Sequence, residues 1–134
     1  MIAVDSSVLL DVLTDDPKFA AASAASIAQA LAHGEVVVCD AVVAEVQCML
    51  DTRDTAMEAL AEFGFRFVPT SEQAAVRAGH MQRRFRDRGG RRDRVVADFL
   101  IGAHALLQCQ GLITRDAGFF RDYFKGLKVI VPKA

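Results

Sequence analysis

Tryptophan is absent from the 134 residues and tyrosine occurs once, so aliphatic packing dominates a chain that is 52% hydrophobic. No run of about 18 uncharged apolar residues occurs, which argues against a membrane-spanning helix. The opening residues lack the basic region, apolar region and cleavage site of a signal peptide, and a cytoplasmic location is expected. The chain also has no C-x-x-C pair. Cys39, Cys48 and Cys109 are widely spaced and form no zinc spacing with His33, His80 or His104. All three are expected to be reduced, mostly buried thiols. Internal repeats, low-complexity segments and linkers are missing too, so residues 1–134 are expected to form a single domain.

Net charge is only −1, but it is unevenly placed. Residues 1–76 carry three Lys or Arg against twelve Asp or Glu, and residues 77–134 carry thirteen against five. The halves therefore stand near −9 and +8. Such asymmetry suggests one surface for cations and another for polyanions, or two halves that attract each other.

Strand-like and helix-like segments alternate. Strands are expected at Met1–Val4, Glu35–Cys39, Phe65–Val68, Leu112–Thr114 and Leu127–Val131, where β-branched and apolar residues gather. Helices are expected at Val8–Leu13 (capped by Ser6 or Ser7), Phe19–His33 (stopped by Gly34), Ala41–Leu50 (capped by Asp40) and Arg53–Phe63. Further helices are expected from Ser71-Glu72 to Arg88, from Arg94 to Gln108, and at Phe119–Tyr123. The pattern predicts a three-layer α/β/α domain around a central, mostly parallel five-stranded sheet. Sites in such sheets form beyond the carboxyl ends of the strands.

Four acids stand out against that background. Asp5 ends the apolar run Met1-Ile2-Ala3-Val4, and Asp116 closes Gly111-Leu112-Ile113-Thr114-Arg115. Glu45 and Asp98 interrupt apolar helical stretches, Asp98 among eight apolar or small neighbours. Carboxylates in apolar surroundings are costly unless paired or bound to a cation. Mg²⁺ or Mn²⁺ prefers such hard oxygen ligands and keeps several waters. One or two such ions can activate water and stabilise a leaving oxygen. Without metal, clustered acids repel and at least one tends to hold a proton.

The order and surroundings of these acids resemble the PIN-domain nucleases, in particular the VapC-like toxins of bacterial toxin–antitoxin pairs. The matching segments are Val4-Asp5-Ser6-Ser7-Val8-Leu9-Leu10, Val43-Ala44-Glu45-Val46, Ala97-Asp98-Phe99-Leu100-Ile101-Gly102-Ala103-His104-Ala105 and Leu112-Ile113-Thr114-Arg115-Asp116. The resemblance implies that Asp5, Glu45, Asp98 and Asp116 form a catalytic, Mg²⁺- or Mn²⁺-binding quartet. It implies supporting roles for Ser7 and Thr114. Asp40 stands where the family has Ser or Thr, and adds negative charge near the site. The implied activity is that of an endoribonuclease toxin held inactive by a small cognate antitoxin, with a homodimer as the usual assembly.

Residues 83–94 contain seven arginines in twelve positions, interrupted by Gly89-Gly90. Arginine forks match phosphate oxygens. Arg91, Arg92, Arg94 and, beside the last acid, Arg115 are expected to contact RNA. His33, His80 and His104 have no ligand or nucleophile–base spacing and are expected to be structural or exposed. The phenylalanines are expected in the core or between subunits. Two other functions fit an acid after the first strand: phosphotransfer through an aspartyl phosphate, and a binding module without catalysis. A phosphatase needs a second acid where this chain has Ser7, and intact acids at all four positions argue against the binding module.

Overall fold

The computed structural model describes residues 1–50, 55–90 and 94–133. Among the described residues there are five short strands: β1 (Ile2–Val4), β2 (Val36–Val38), β3 (Arg66–Phe67), β4 (Gly111–Ile113) and β5 (Val129–Ile130). Every pairing is parallel, in the order β3-β2-β1-β4-β5. Ala3 stands opposite Val37 on one side and Leu112 on the other. β2 and β4 are buried at every residue, which is why their sequences show no polar alternation.

Seven helices connect the strands among the described residues: α1 (Ser6–Leu13), α2 (Ala20–His33), α3 (Asp40–Met49), α4 (Ala56–Glu62), α5 (Glu72–Asp87), α6 (Val96–Gln108) and α7 (Ala117–Tyr123). The chain steps from β1 through β2 to β3 in one direction across the sheet, then returns past β1 to β4 and β5. Right-handed crossovers put α1–α4 on one face and α5–α7 on the other. The reversal lies between β1 and β4, whose carboxyl ends therefore flank a crevice.

Val8, Leu9, Ile27, Val42, Val46 and Leu60 fill the core from α1–α4. From α5–α7 it is filled by an aromatic cluster in which Phe85, Phe99, Phe119 and Tyr123 meet edge to face or tilted. Gly102 lets α6 approach Phe124, since a Cβ there would lie 2.3 Å from the Phe124 ring. Of the phenylalanines expected in the core or between subunits, Phe65, Phe119, Phe120 and Phe124 are buried in the core, and Phe63 and Phe67 are exposed on this chain.

Helix ends differ from the sequence expectation in instructive ways. Ser6 and Ser7 are not caps but the first helical residues of α1, and Asp5 takes the cap position without a side-chain cap bond. Asp40 likewise lies inside α3, with Cys39 at the cap position. Its carboxylate instead accepts from the Thr70 amide at 2.9 Å and the Thr70 hydroxyl at 2.5 Å. Burial pushes the Asp40 carboxyl up, but the Thr70 bonds outweigh it and hold the pKa below the ordinary value. Gly34 ends α2 in extended backbone rather than a left-handed turn. Gly89, at φ +77, does end α5 in the left-handed region, which glycine adopts at low cost. Ser71 and Thr55 are true caps, accepting from Ala74 and Glu58 amides. α6 starts at Val96, two residues later than expected, and Arg53 at the expected start of α4 lies outside the described residues.

Cys39 is buried and Cys109 half-buried, while Cys48 is exposed, contrary to the expectation for it. Burial pushes the Cys109 thiol up to about 11. His104 is buried and hydrogen-bonded to the Val68 backbone; burial holds its pKa below the ordinary value. No helix among the described residues is long and apolar enough to cross a membrane.

Candidate active site

Asp5 follows β1 directly and is only 7% exposed. A buried carboxylate needs donors, and hydroxyls supply them. Thr114 Oγ1 donates to Asp5 Oδ2 at 2.7 Å and Ser7 Oγ to the same oxygen at 3.0 Å. The Ser6 hydroxyl lies 3.4 Å from Asp5 Oδ1 and donates to Glu45 Oε1 at 2.7 Å. Ser6 thus links the end of β1 to the second turn of α3. It was missed in the sequence because a serine after a strand-ending acid resembles a helix cap.

Glu45 and Asp98 are the strained members. Burial raises the Glu45 pKa, the Ser6 bond pulls it down, and the charges of Asp5 and Asp98 raise it again. Asp98 is also raised, first by burial; the Val95 amide and Arg94 lower it, and Asp5 and Asp116 raise it. Asp98 occupies the first turn of α6, where its carboxylate accepts from the Val95 N–H at 3.1 Å. Valine has no acceptor to return, so only half of a capping box forms.

Asp116 follows β4 and stands at the cap position of α7. Its amide donates to Thr114 Oγ1 at 3.0 Å, so one hydroxyl serves both Asp5 and Asp116. Its carboxylate pairs with the Arg94 guanidinium, which also lies 4.1 Å over the Phe119 ring. Arg115 turns the other way. It donates to both oxygens of buried Asp11, at 2.7 and 2.9 Å, and stacks 4.1 Å over Phe19. Ser23 completes the Asp11 shell at 2.9 Å. Asp11 was also missed, although a lone acid in Ser6–Leu13 is the same signal that exposed Asp98.

The structure therefore brings Asp5, Glu45, Asp98 and Asp116 to one end of the sheet, beyond the carboxyl ends of β1 and β4, with Ser7 and Thr114 beside them. Arg94 joins them and Arg115 does not. Arg91 and Arg92 lie outside the described residues. The acids stand close enough to raise one another's pKa. Among the described residues no three acids, histidines or cysteines already converge on one point, because Asp98 and Asp116 are turned toward Val95 and Arg94. The donor set is all carboxylate and hydroxyl oxygen, a chemistry that fits a hard divalent ion.

A groove of about 850 Å³ opens next to this end of the sheet, lined by Gln82, Phe85, Arg86, Gly90, Arg94, Val95 and Val96. Gly90 is needed there, since a Cβ would lie 2.3 Å from the Phe85 ring. Arg86 lines the α5 side of the groove, and Arg83, Arg84 and Arg88 are exposed on the same stretch of chain, Arg83 paired with Asp87. A cavity of about 520 Å³ at the opposite end of the strands, lined by Met1, Gln29, Glu35, Gln110 and Lys128, is far from the acids.

A family model described as the PIN domain matches residues 2–125. No curated protein matches the chain. Among solved structures, VapBC2 from Rickettsia felis, bound to a promoter DNA fragment, superposes with TM-score 0.76 at 16% identity, covering 99% of this chain and 100% of that one. FitAcB from Neisseria gonorrhoeae gives TM-score 0.66 at 22% identity, covering 98% of each chain. A toxin–antitoxin complex from Klebsiella pneumoniae gives TM-score 0.65 at 18% identity, covering 99% of this chain and 98% of that one.

Proposed function

The chain belongs to the PIN domain family, and from that premise we propose that it is a divalent-metal-dependent endoribonuclease acting as the toxin of a toxin–antitoxin pair. The observation that carries this reading is the acid quartet. Asp5, Glu45, Asp98 and Asp116 come from four separate elements to one end of the sheet, and Glu45 and Asp98 are held above their ordinary pKa by burial and by their neighbours. A fold gains no stability from such repulsion, so the arrangement is best explained by a cation.

Asp5, Glu45, Asp98 and Asp116 would hold Mg²⁺ or Mn²⁺, which supplies an activated water and neutralises charge at the phosphodiester. The chain's own residues prepare that chemistry. Thr114 and Ser7 fix the Asp5 carboxylate, and Thr114 also fixes the backbone of Asp116. Ser6 sets the separation of Asp5 and Glu45. The groove beside the acids admits a strand, with Arg84, Arg86 and Arg88 available for its phosphates. Arg91 and Arg92 extend that basic segment in sequence. Arg115 is committed to Asp11 and serves to anchor the Asp116 loop rather than RNA.

The structural neighbours are toxin–antitoxin complexes, which supports a small cognate antitoxin as partner. The exposed Val95 and Val96 at the groove mouth suit an apolar contact with it. We take residues 1–134 as one domain, acting in the cytoplasm as a homodimer. The test compares wild type with Asp98→Asn on a structured RNA pool with Mg²⁺ or Mn²⁺, with and without chelator, and for growth arrest on expression. Cleavage by wild type alone, lost on chelation, is expected; equal behaviour of the two proteins overturns the reading.

A further inference from the structure

Four consecutive residues after β3, Val68 to Ser71, are each tied to another element. Buried His104 hydrogen-bonds the Val68 backbone. Gln108 Nε2 donates to the Pro69 carbonyl at 3.0 Å, and Gln108 Oε1 accepts from the Ser71 amide at 2.9 Å. Asp40 Oδ1 accepts from both the Thr70 amide, at 2.9 Å, and the Thr70 hydroxyl, at 2.5 Å. His104 and Gln108 stand one turn apart on one face of α6, and Asp40 is the first residue of α3. The segment therefore joins the helix that carries Glu45 to the helix that carries Asp98.

We propose that residues 68–71 act as a strap that sets α3 and α6 against each other, with Asp40 and Gln108 as positioning residues for the acid site. The inference rests on the metal-dependent reading above. Three observations carry it. First, α3 and α6 also pack on each other directly, so the strap acts on a contact whose register decides where Glu45 and Asp98 stand. Second, α6 runs unbroken from Val96 to Gln108. Packed helices shift as rigid bodies, so a slide at Gln108 reaches Asp98 undiminished. An offset of even about 1 Å is costly where reacting groups must be held in place. Third, α3 is fixed at two points. Ser6 donates to Glu45 at 2.7 Å, and Thr70 holds the first residue of the helix. Both Asp40 bonds fall on one oxygen, which an asparagine also presents. The role therefore belongs to the bonds and not to the charge of Asp40.

The experiment is a Mn²⁺ titration of RNA-free protein, with free Mn²⁺ followed by electron paramagnetic resonance well below the melting temperature. The proteins are wild type, Asp40→Ala, Asp40→Asn, Thr70→Val and Gln108→Ala, each checked for folding by circular dichroism. Asp40→Ala and Gln108→Ala are expected to weaken Mn²⁺ binding by about threefold to tenfold, less than losing a group bonded to the metal ligands themselves. Thr70→Val keeps the amide bond and should fall between wild type and Asp40→Ala. Asp40→Asn should stay within about twofold of wild type, because the acceptor oxygen remains. In RNA cleavage at a fixed, subsaturating Mn²⁺ concentration, Asp40→Ala should lower kcat and leave KM for RNA unchanged, since the groove is lined from α5 and the start of α6. Wild-type Mn²⁺ affinity in Asp40→Ala overturns the inference alone. Where that variant does not fold, wild-type affinity in Thr70→Val and Gln108→Ala does the same. A loss in Asp40→Asn equal to that in Asp40→Ala also overturns it, because the charge would then be what matters. Absence of Mn²⁺ binding by every protein overturns the metal-dependent reading with it.

Discussion

Thr114 and Asp5 lie 109 residues apart in the chain and meet through one buried hydrogen bond of 2.7 Å. The hydroxyl that donates to Asp5 also accepts from the Asp116 amide. Thr114→Val keeps the shape and removes both bonds, leaving a buried carboxylate short of a donor. A loss of about 1–3 kcal/mol is expected, with a larger relative loss of Mg²⁺-dependent cleavage. Thr114→Ser should retain most of both. Urea denaturation beside an RNA cleavage assay checks this, and an unchanged midpoint for Thr114→Val would show that the bond adds nothing.

Glu45 and Asp98 give a pH dependence of definite sign. Both carboxyls have raised pKa values in the folded chain, above the ordinary 4.5 and 3.8. Their stabilising contribution is full below those ordinary values and is lost as pH rises through the raised ones. At neutral pH the metal-free protein therefore carries two disfavoured charges. Glu45→Gln and Asp98→Asn should each melt a few degrees higher than wild type at pH 7 in chelator, with no such gain at pH 3.5, while cleavage is lost. Melting curves at the two pH values decide it; a lower melting point at pH 7 contradicts the assignment.

Asp11 and Arg115 form the buried ion pair that anchors the segment before Asp116. Asp11→Leu strands a guanidinium that is about one-third exposed. The expected cost is about 2–4 kcal/mol, toward the low side of what breaking a fully buried pair costs. The double variant Asp11→Leu/Arg115→Met should recover at least half of that. Additive losses in chemical denaturation would mean that the two residues are not coupled.

Gly102→Ala would drive a methyl group into the Phe124 ring. Overpacking of this kind costs about 1–3 kcal/mol. Adding Phe124→Leu should return part of the loss, because the smaller side chain makes room. Thermal melts of the single and double variants test it, and a neutral Gly102→Ala would show that α6 can shift.

Asp98 and Asp5 were legible because a carboxylate is conspicuous among apolar neighbours, Asp98 most clearly, whereas Glu45 and Asp116 stood out mostly through the family resemblance. The parallel sheet was legible because β2 and β4, covered on both faces, have unbroken apolar sequences. What sequence could not give was the partner of each polar group. Ser6 looks like a cap until Glu45 is brought beside it across 39 residues. Asp40 looks like a cap until Thr70 claims it. Arg94 and Arg115 look alike as basic residues near the site, yet Phe119 and Asp116 hold one at the acids while Phe19 and Asp11 hold the other away. Such choices are long-range pairings that local periodicity does not encode. The ends of β1, β4 and α6 moved by one or two residues because the flanking residues were taken up by caps and side-chain bonds.

β1 lies between β2 and β4, so a strand made early is completed by one made much later. Synthesis proceeds from the amino terminus, and Asp5, Glu45 and Asp98 all leave the ribosome before the segment that carries Asp116. A product that stops between Asp98 and Gly111 therefore contains three of the acids but neither β4, which seats Asp5's neighbour Thr114, nor the fourth acid. Such a product lacks the assembled site, which comes into being only once the β4 segment and Asp116 have been made.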